Sequence, residues 1–113
     1  MTGSERVRVV VAGPVPDDPD RRLEVVARAL RDAGMEVVYT AGHQTPEQLA
    51  AIVVQEDADA VVLPVAPEGA VPLLTALLRE RDAGDVAVLP ADATGPQTVD
   101  RVRLAVGVDR VDG

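Results

Sequence analysis

Side chains capable of acid–base chemistry follow four short Val-rich segments of the chain. Asp17 follows the first segment, and the single histidine, His43, follows the second. Glu68 and Asp92 come after the third and fourth. In a parallel α/β sheet the carboxyl ends of the strands share one edge, where ligands usually bind. We therefore expect these side chains at one edge, although the sequence gives no distances between them.

Two kinds of catalysis are compatible with these residue types. His43 has a suitable intrinsic pKa for a general base, and Asp17 or Glu68 could orient it. Alternatively, Asp17 paired with Asp92 or Glu68 could act as acid and base. Such groups would suit proton-transfer reactions such as isomerisation, epimerisation or cyclisation without a cofactor.

The acidic run Asp17, Asp18 and Asp20 also has structural explanations. Carboxylates near a helix N-terminus complement the helix dipole, and Asp18 before Pro19 is a good N-cap. A Mg²⁺ or Ca²⁺ site from these side chains is under-supplied with ligands. We therefore predict no metal site.

The same loops carry a stiff, apolar rim interrupted by a few polar groups. Such a rim suits either a small organic molecule or a protein partner. The residues predicted to contact this ligand or partner are Pro16, Asp18, Pro19, Asp20, Thr40, Pro64, Val65, Pro67, Pro90 and Thr94.

Composition excludes several functional classes. The 113 residues fit one domain, predicted over 6–113 after a polar tail at 1–5. A net charge of −8 argues against nucleic-acid and anionic-membrane partners. The chain has no Cys, and all 11 basic residues are Arg, which excludes thiolate sites, lysine Schiff bases and P-loops. Without a signal segment, we expect a cytoplasmic protein.

Strand and helix signals alternate along the chain. Val-dense segments at 6–12, 35–40, 59–65 and 85–89 predict strands covered on both faces. A helix between the first two ends at Gly34, a suitable left-handed C-cap. Thr45, Pro46 and Gln48 predict a second helix that begins with a capping box.

Two further helices follow the third and fourth strands. The third is predicted from Gly69 to Asp82, with Gly84 after it, and the fourth begins near Pro96 and ends at Gly107. Residues at helical spacing form the predicted buried stripes of the last three helices: Leu49, Ile52 and Val53; Val71, Leu74, Leu77 and Leu78; Val99, Val102 and Ala105.

Alternating strands and helices with short links predict a doubly wound parallel sheet with right-handed crossovers. For a chain of this length, we expect the five-stranded flavodoxin-like order 2-1-3-4-5, a Rossmann-like α/β fold. Val108–Val111 supplies a short fifth strand in this prediction.

Several segments resemble the cobalamin-binding domain of methylmalonyl-CoA mutase and related B12-dependent mutases. The matching segments are Val25–Gly34, Glu36–Thr40, His43–Gln48 and Gln55–Asp57. The resemblance covers nearly the whole chain and implies the flavodoxin-like sheet. Because His43 lies in a segment that these relatives share as scaffold, we favour a structural role for it over a catalytic one.

The functional motif of that family departs from its pattern here. The family has Asp-x-His-x-x-Gly after the first strand, and its His coordinates cobalt. The aligned stretch keeps Asp17 but has Pro19 at the His position and Arg22 at the Gly position. Pro64 replaces a Ser that contacts the nucleotide tail, and 90–92 (Pro-Ala-Asp) replaces a glycine run that opens a slot for it.

These departures lead to three hypotheses. We favour a cofactor-free binding or accessory protein, a possible homodimer, that uses the carboxyl edge for a partner or small ligand and no longer binds cobalamin. A repurposed, cofactor-independent enzyme of isomerase or cyclase type is the second. A degenerate B12 carrier that acts with a separate mutase subunit is the third.

Overall fold

Four strands and four helices alternate in the computed structural model, which describes residues 7–12, 22–40, 45–63, 68–90 and 95–106. In chain order they are β1 (Arg8–Ala12), α1 (Arg22–Asp32), β2 (Glu36–Thr40), α2 (Pro46–Gln55), β3 (Ala60–Leu63), α3 (Ala70–Glu80), β4 (Ala87–Pro90) and α4 (Gly95–Val106). The predicted alternation is therefore confirmed over the described residues.

The described strands form one parallel sheet in the order β2-β1-β3-β4. This order agrees with the predicted flavodoxin-like topology over its first four strands. The fifth strand predicted at Val108–Val111, and the tail predicted at 1–5, lie outside the described residues.

Helices cover both faces of the sheet, which explains the Val-dense strands. Val9 and Val11 pack against residues of α1 and α4 on one face, and Val10 packs against α2 and α3 on the other. Successive strand side chains point to opposite faces, so a strand covered on both sides needs apolar residues throughout. All three valines are fully buried.

The start of α2 matches the sequence prediction in detail. The Gln48 N–H donates to Thr45 Oγ1 at 3.0 Å, and the Thr45 N–H donates to Gln48 Oε1 at 2.9 Å. Pro46 occupies the first helical position, where its missing N–H leaves no hydrogen bond unmade. This reciprocal capping box fixes where the chain re-enters a helix after β2.

Positive φ values follow the ends of three helices. Gly34 has φ +91° after α1, as predicted. After α3 the left-handed residue is Asp82, at φ +61°, and Gly84 lies after the helix as predicted. Asp57 occupies the equivalent place after α2, at φ +55°. Asp tolerates this region better than most residues, which is why no glycine was needed there.

One predicted core position is wrong, and three others are only half-buried. Ala105 is exposed and Ile52 is only half-buried, whereas Thr98 and Ala50 are buried. An α-helix turns about 100° per residue, so steps of three residues drift about 60° around the axis. Two such steps from Val99 carry Ala105 off the buried face. Val71 and Leu77 of α3 are also half-buried, beside the fully buried Leu74 and Leu78.

Arg8 connects three elements at the amino end of the sheet. Its Nε and Nη2 donate to Glu36 Oε1 at 3.1 and 3.0 Å, and its Nη1 donates to the Glu56 carbonyl oxygen at 2.8 Å. The hydrogen bond to Glu36 raises the pKa of Arg8, because it stabilises the charged guanidinium. This cluster fixes the strand starts and lies at the edge opposite the predicted site.

None of the helices that the structure describes combines the length and apolar character needed to span a bilayer.

Candidate functional site

The carboxyl ends of the four described strands lie side by side at one edge of the sheet. Thr40 pairs with Ala12, and Leu63 pairs with Pro90. Val11 pairs with Val62, which places Ala12 and Leu63 level with each other. The four segments that follow these strands therefore leave the sheet from neighbouring positions. We call this row of strand ends, with the segments that follow them, the carboxyl edge.

The predicted site residues all belong to this carboxyl edge by their place in the chain. Of them, Thr40, Glu68 and Pro90 are described by the structure. The remainder lie outside the described residues, and their predicted roles stay predictions: His43, Asp17, Asp92, Pro16, Asp18, Pro19, Asp20, Pro64, Val65, Pro67 and Thr94.

Thr40 is the last residue of β2, and the structure buries it. Only 8% of its surface is exposed. Because it lies two residues after Val38, which packs against the α2 and α3 layer, its side chain points to that face. Within the described part of the chain, the Thr40 Oγ1 atom is a buried side-chain atom with no hydrogen-bond partner. Thr40 was predicted to be a polar residue of the rim. The alternation of side chains along β2 was the available signal that its side chain points inward.

Glu68 and Gly69 lead from the carboxyl edge into α3. Glu68 is exposed, and Gly69 caps the helix with φ +86° and no side-chain hydrogen bond. Glycine adopts this left-handed conformation without the steric cost that a Cβ atom brings. The carboxylate of Glu68 is therefore a solvated group beside the edge, not a buried acid.

Pro90 is the last residue of β4 and is exposed. A proline cannot donate to a sheet, so it is tolerated at a strand end or on an edge strand. Its ring extends the described sheet to the level of Leu63, with which it pairs. The predicted strand ended one residue earlier.

Two open grooves lie elsewhere on the described surface. One, of about 680 Å³, follows α1 and includes Tyr39, Val25 and Pro96 in its lining. The other, of about 520 Å³, lies at the amino end of the sheet and is lined by four aspartates with Arg81. Among the described side chains, no three acidic or histidine groups gather closely enough to hold a metal ion.

Comparisons with known proteins identify a family. Residues 7–89 match the family model described as "B12 binding domain". The chain is 46% identical over 88 residues to the 2-hydroxyisobutanoyl-CoA mutase small subunit of Aquincola tertiaricarbonis, covering 74% of this chain and 63% of that protein. It is 34% identical over 113 residues to the pivalyl-CoA mutase small subunit of Xanthobacter autotrophicus, covering 98% of this chain and 76% of that protein.

These findings contradict the expectation that the chain uses no cofactor. The family match spans β1 to β4, and both relatives are small subunits of coenzyme A mutases, so together they point to cobalamin binding. The error came from giving three local departures at the carboxyl edge more weight than the resemblance of the scaffold. The hypotheses of a cofactor-free accessory protein and of a cofactor-independent enzyme both assumed that cobalamin binding was lost, and that assumption is no longer supported.

One observation of the structure fits a bound cofactor at this edge. A buried hydroxyl without a partner, such as that of Thr40, is a group that a polar ligand can satisfy. Cobalamin carries neutral amide groups around its corrin ring, and these donate and accept hydrogen bonds. Among the described residues at this edge, Thr40 therefore offers a group of the chemical type that this cofactor can use.

Proposed function

Because this chain belongs to the B12-binding domain family, we propose that it is a cobalamin-binding subunit that works with a separate catalytic subunit of a coenzyme A mutase. The observation that carries this proposal is the family match over residues 7–89, which takes in nearly all of the four-stranded sheet. A fold alone does not define a function. Here the match is to a family defined by its ligand.

The topology supports a ligand at the carboxyl edge. The chain leaves β1 for β2 on one side and later returns to β3 on the other, so β1 and β3 flank a topological switch point. In open α/β sheets, ligands bind outside the carboxyl ends of the strands at such a point. The segment after β1 carries Asp17, Asp18 and Asp20 and begins at this switch point.

The described residues at the carboxyl edge differ in position and exposure. Thr40 lies beside Ala12 and offers a hydroxyl, whereas Glu68 and Pro90 border the same edge in exposed positions. When bound, cobalamin supplies organocobalt radical chemistry. The chain's own residues hold the cofactor and present it at one edge of a rigid sheet.

A catalytic partner follows from the kind of protein these relatives are. Both are named as small subunits of mutases that act on coenzyme A thioesters. We therefore expect this chain to bind a larger subunit. Size-exclusion chromatography of this chain with a mutase large subunit, with and without adenosylcobalamin, should show a complex; separate elution in both conditions would contradict the partnership.

The lower cobalt ligand is a separate part of the proposal. The sequence has Pro19 where the resemblance places the ligating His, and its only histidine is His43. We infer that cobalamin binds here without a histidine from the segment after β1. The nucleotide base of the cofactor would then supply the nitrogen ligand in place of a protein histidine.

Electron paramagnetic resonance of the bound cob(II)alamin tests this ligation. The splitting by the lower nitrogen should be identical in protein prepared with ordinary and with heavy nitrogen, because the ligand nitrogen belongs to the cofactor. A splitting that changes with the protein label would show coordination by His43, the one histidine of the chain. The His43→Ala variant should leave the spectrum unchanged.

The test of cobalamin binding itself is a titration with hydroxocobalamin and adenosylcobalamin, followed by desalting and a visible spectrum. With no Trp and one Tyr in the chain, corrinoid absorbance is easily separated from that of the protein. Colour should remain with the protein. The Val65→Arg variant at the carboxyl edge should lose colour, and the control Asp85→Arg at the amino end should retain it. A colourless wild-type protein would refute the proposed function.

A further inference from the structure

The unpaired hydroxyl of Thr40 distinguishes it from the other threonines whose hydrogen bonds the structure defines. Thr45 Oγ1 accepts from the Gln48 N–H at 3.0 Å, and Thr75 Oγ1 donates to the Val71 carbonyl oxygen at 2.8 Å. Thr40 is 8% exposed, and its Oγ1 is buried with no partner among the described residues. A buried polar group left in this state lowers the stability of the folded protein.

Valine would fill the same position without this penalty. It has nearly the shape of threonine, prefers strands and is the residue used at Val37 and Val38 earlier in β2. The Thr40 hydroxyl therefore forms no hydrogen bond with the described residues of the cofactor-free protein. It is therefore available to a group that binds at this position.

The position of Thr40 indicates where a ligand group would reach its hydroxyl. Thr40 pairs with Ala12, the last residue of β1, so it lies at the carboxyl edge beside the strand that leads into the predicted binding segment. On this basis we propose that the Thr40 hydroxyl forms a hydrogen bond with a peripheral amide of the bound cobalamin. This inference rests on the proposed function and assigns one contact within it.

An amide is the part of the cofactor that suits this hydroxyl. A hydroxyl donates one hydrogen bond and accepts others, so it can pair with either end of a primary amide. The phosphodiester of the cofactor is a poorer match, because the chain carries a net charge of −8 and Glu68 borders the same edge. A neutral amide meets no such repulsion.

The test measures two properties of the Thr40→Val variant, and we expect them to change in opposite directions. The cobalamin-free variant should unfold at a higher temperature than the wild type, because a buried unpaired hydroxyl has been removed. Its affinity for cobalamin, measured by visible titration, should fall by about 2- to 10-fold, the loss of one ordinary hydrogen bond.

Two control variants separate this contact from a structural role. Thr40→Ser keeps the hydroxyl and should bind cobalamin with nearly wild-type affinity. Thr75→Val removes a hydroxyl that is paired within α3 and should leave the affinity unchanged. If Thr40 were only structural, Thr40→Val would melt at a lower temperature and bind cobalamin normally, and that result would overturn the inference.

The outcomes distinguish a failure of the Thr40 contact from a failure of the proposed cobalamin binding. If the wild type binds cobalamin and Thr40→Val binds it equally well, the contact is refuted while the proposed function stands. If Thr40→Val loses affinity for a catalytic subunit but not for cobalamin, the hydroxyl serves the protein interface and the inference is wrong. If the wild type retains no cobalamin, the proposed function fails and this contact fails with it.

Discussion

Single residues at the helix ends illustrate how backbone conformation constrains the sequence. Gly34, Asp57 and Asp82 each follow a helix with positive φ, and one of the three is glycine. A residue with a Cβ atom is strained in this conformation by about 1–2 kcal/mol, with Asp among the better tolerated types. Two helices of this domain therefore end on residues that are not the most stable choice.

This difference predicts opposite effects for two substitutions. Gly34→Ala should lower the free energy of unfolding by about 1 kcal/mol. A Cβ atom built at Gly34 has no described neighbour within 4 Å, so the effect comes from the backbone and not from a clash. Asp82→Gly should leave stability equal or raise it by up to about 1 kcal/mol. Urea unfolding followed by circular dichroism measures both, and equal effects in the same direction would contradict this explanation.

The capping box of α2 gives a second prediction for single residues. Thr45→Ala removes the oxygen that accepts from the Gln48 N–H and should lower the free energy of unfolding by about 1 kcal/mol. Thr75→Ala is the matched control, since its hydroxyl bonds within α3 and alanine has the higher helix propensity. Its unfolding free energy should change by less than about 0.5 kcal/mol. If both variants lost stability equally, the cap would not be the cause.

At the scale of the element, α3 shows a clear division between a buried and an exposed face. Leu74 is 2% exposed and belongs to the core between α3 and the sheet, whereas its neighbour Leu73 is 46% exposed. Leu74→Ala should lower the free energy of unfolding by about 2–5 kcal/mol, because it leaves a cavity. Leu73→Ala should change it by less than about 0.5 kcal/mol. Similar losses for both would show that α3 packs on a different face.

The elements themselves were predictable because their signals are local. Val runs, the Thr45–Gln48 capping box and Gly34 all act within a few residues of the backbone they shape, and each appears where it was predicted. Burial at the margins of a helix was less predictable. Ile52 and Ala105 depend on how far each helix rotates over the sheet, which spacing alone does not determine.

The candidate site was predictable only to the level of an edge. Alternating strands and helices predicted a shared carboxyl edge, and the aligned strand ends Ala12, Thr40, Leu63 and Pro90 agree with that prediction. The burial of Thr40 and its unpaired hydroxyl follow from packing between β2 and the helix layer. That packing is a tertiary property. The polar side chain of Thr40 predicted an exposed position on the rim, whereas the structure buries it.

At the scale of the whole molecule, the domain is an aliphatic α/β scaffold of the B12-binding domain family. Its core contains no Phe or Trp and consists of small aliphatic side chains packed on both faces of the sheet. The family match extends over this scaffold from residue 7 to residue 89. The departures at Pro19, Pro64 and 90–92 do not change the membership of this scaffold in the family.

Cofactor binding should stabilise the whole domain. A ligand that binds only the folded state at 100 times its dissociation constant adds about 2.7 kcal/mol to the free energy of unfolding. Thermal unfolding followed by circular dichroism should therefore shift to higher temperature as adenosylcobalamin is added. An unchanged midpoint at saturating cofactor would be inconsistent with binding to the folded domain.

Native mass spectrometry of the chain mixed with adenosylcobalamin is the most direct test of cobalamin binding, because it counts bound cofactors without relying on colour or activity. We predict a species with the mass of one chain and one corrinoid, which persists in the Asp85→Arg control and is depleted in Val65→Arg. A spectrum that shows only the free chain at every cofactor concentration would show that this domain does not bind cobalamin.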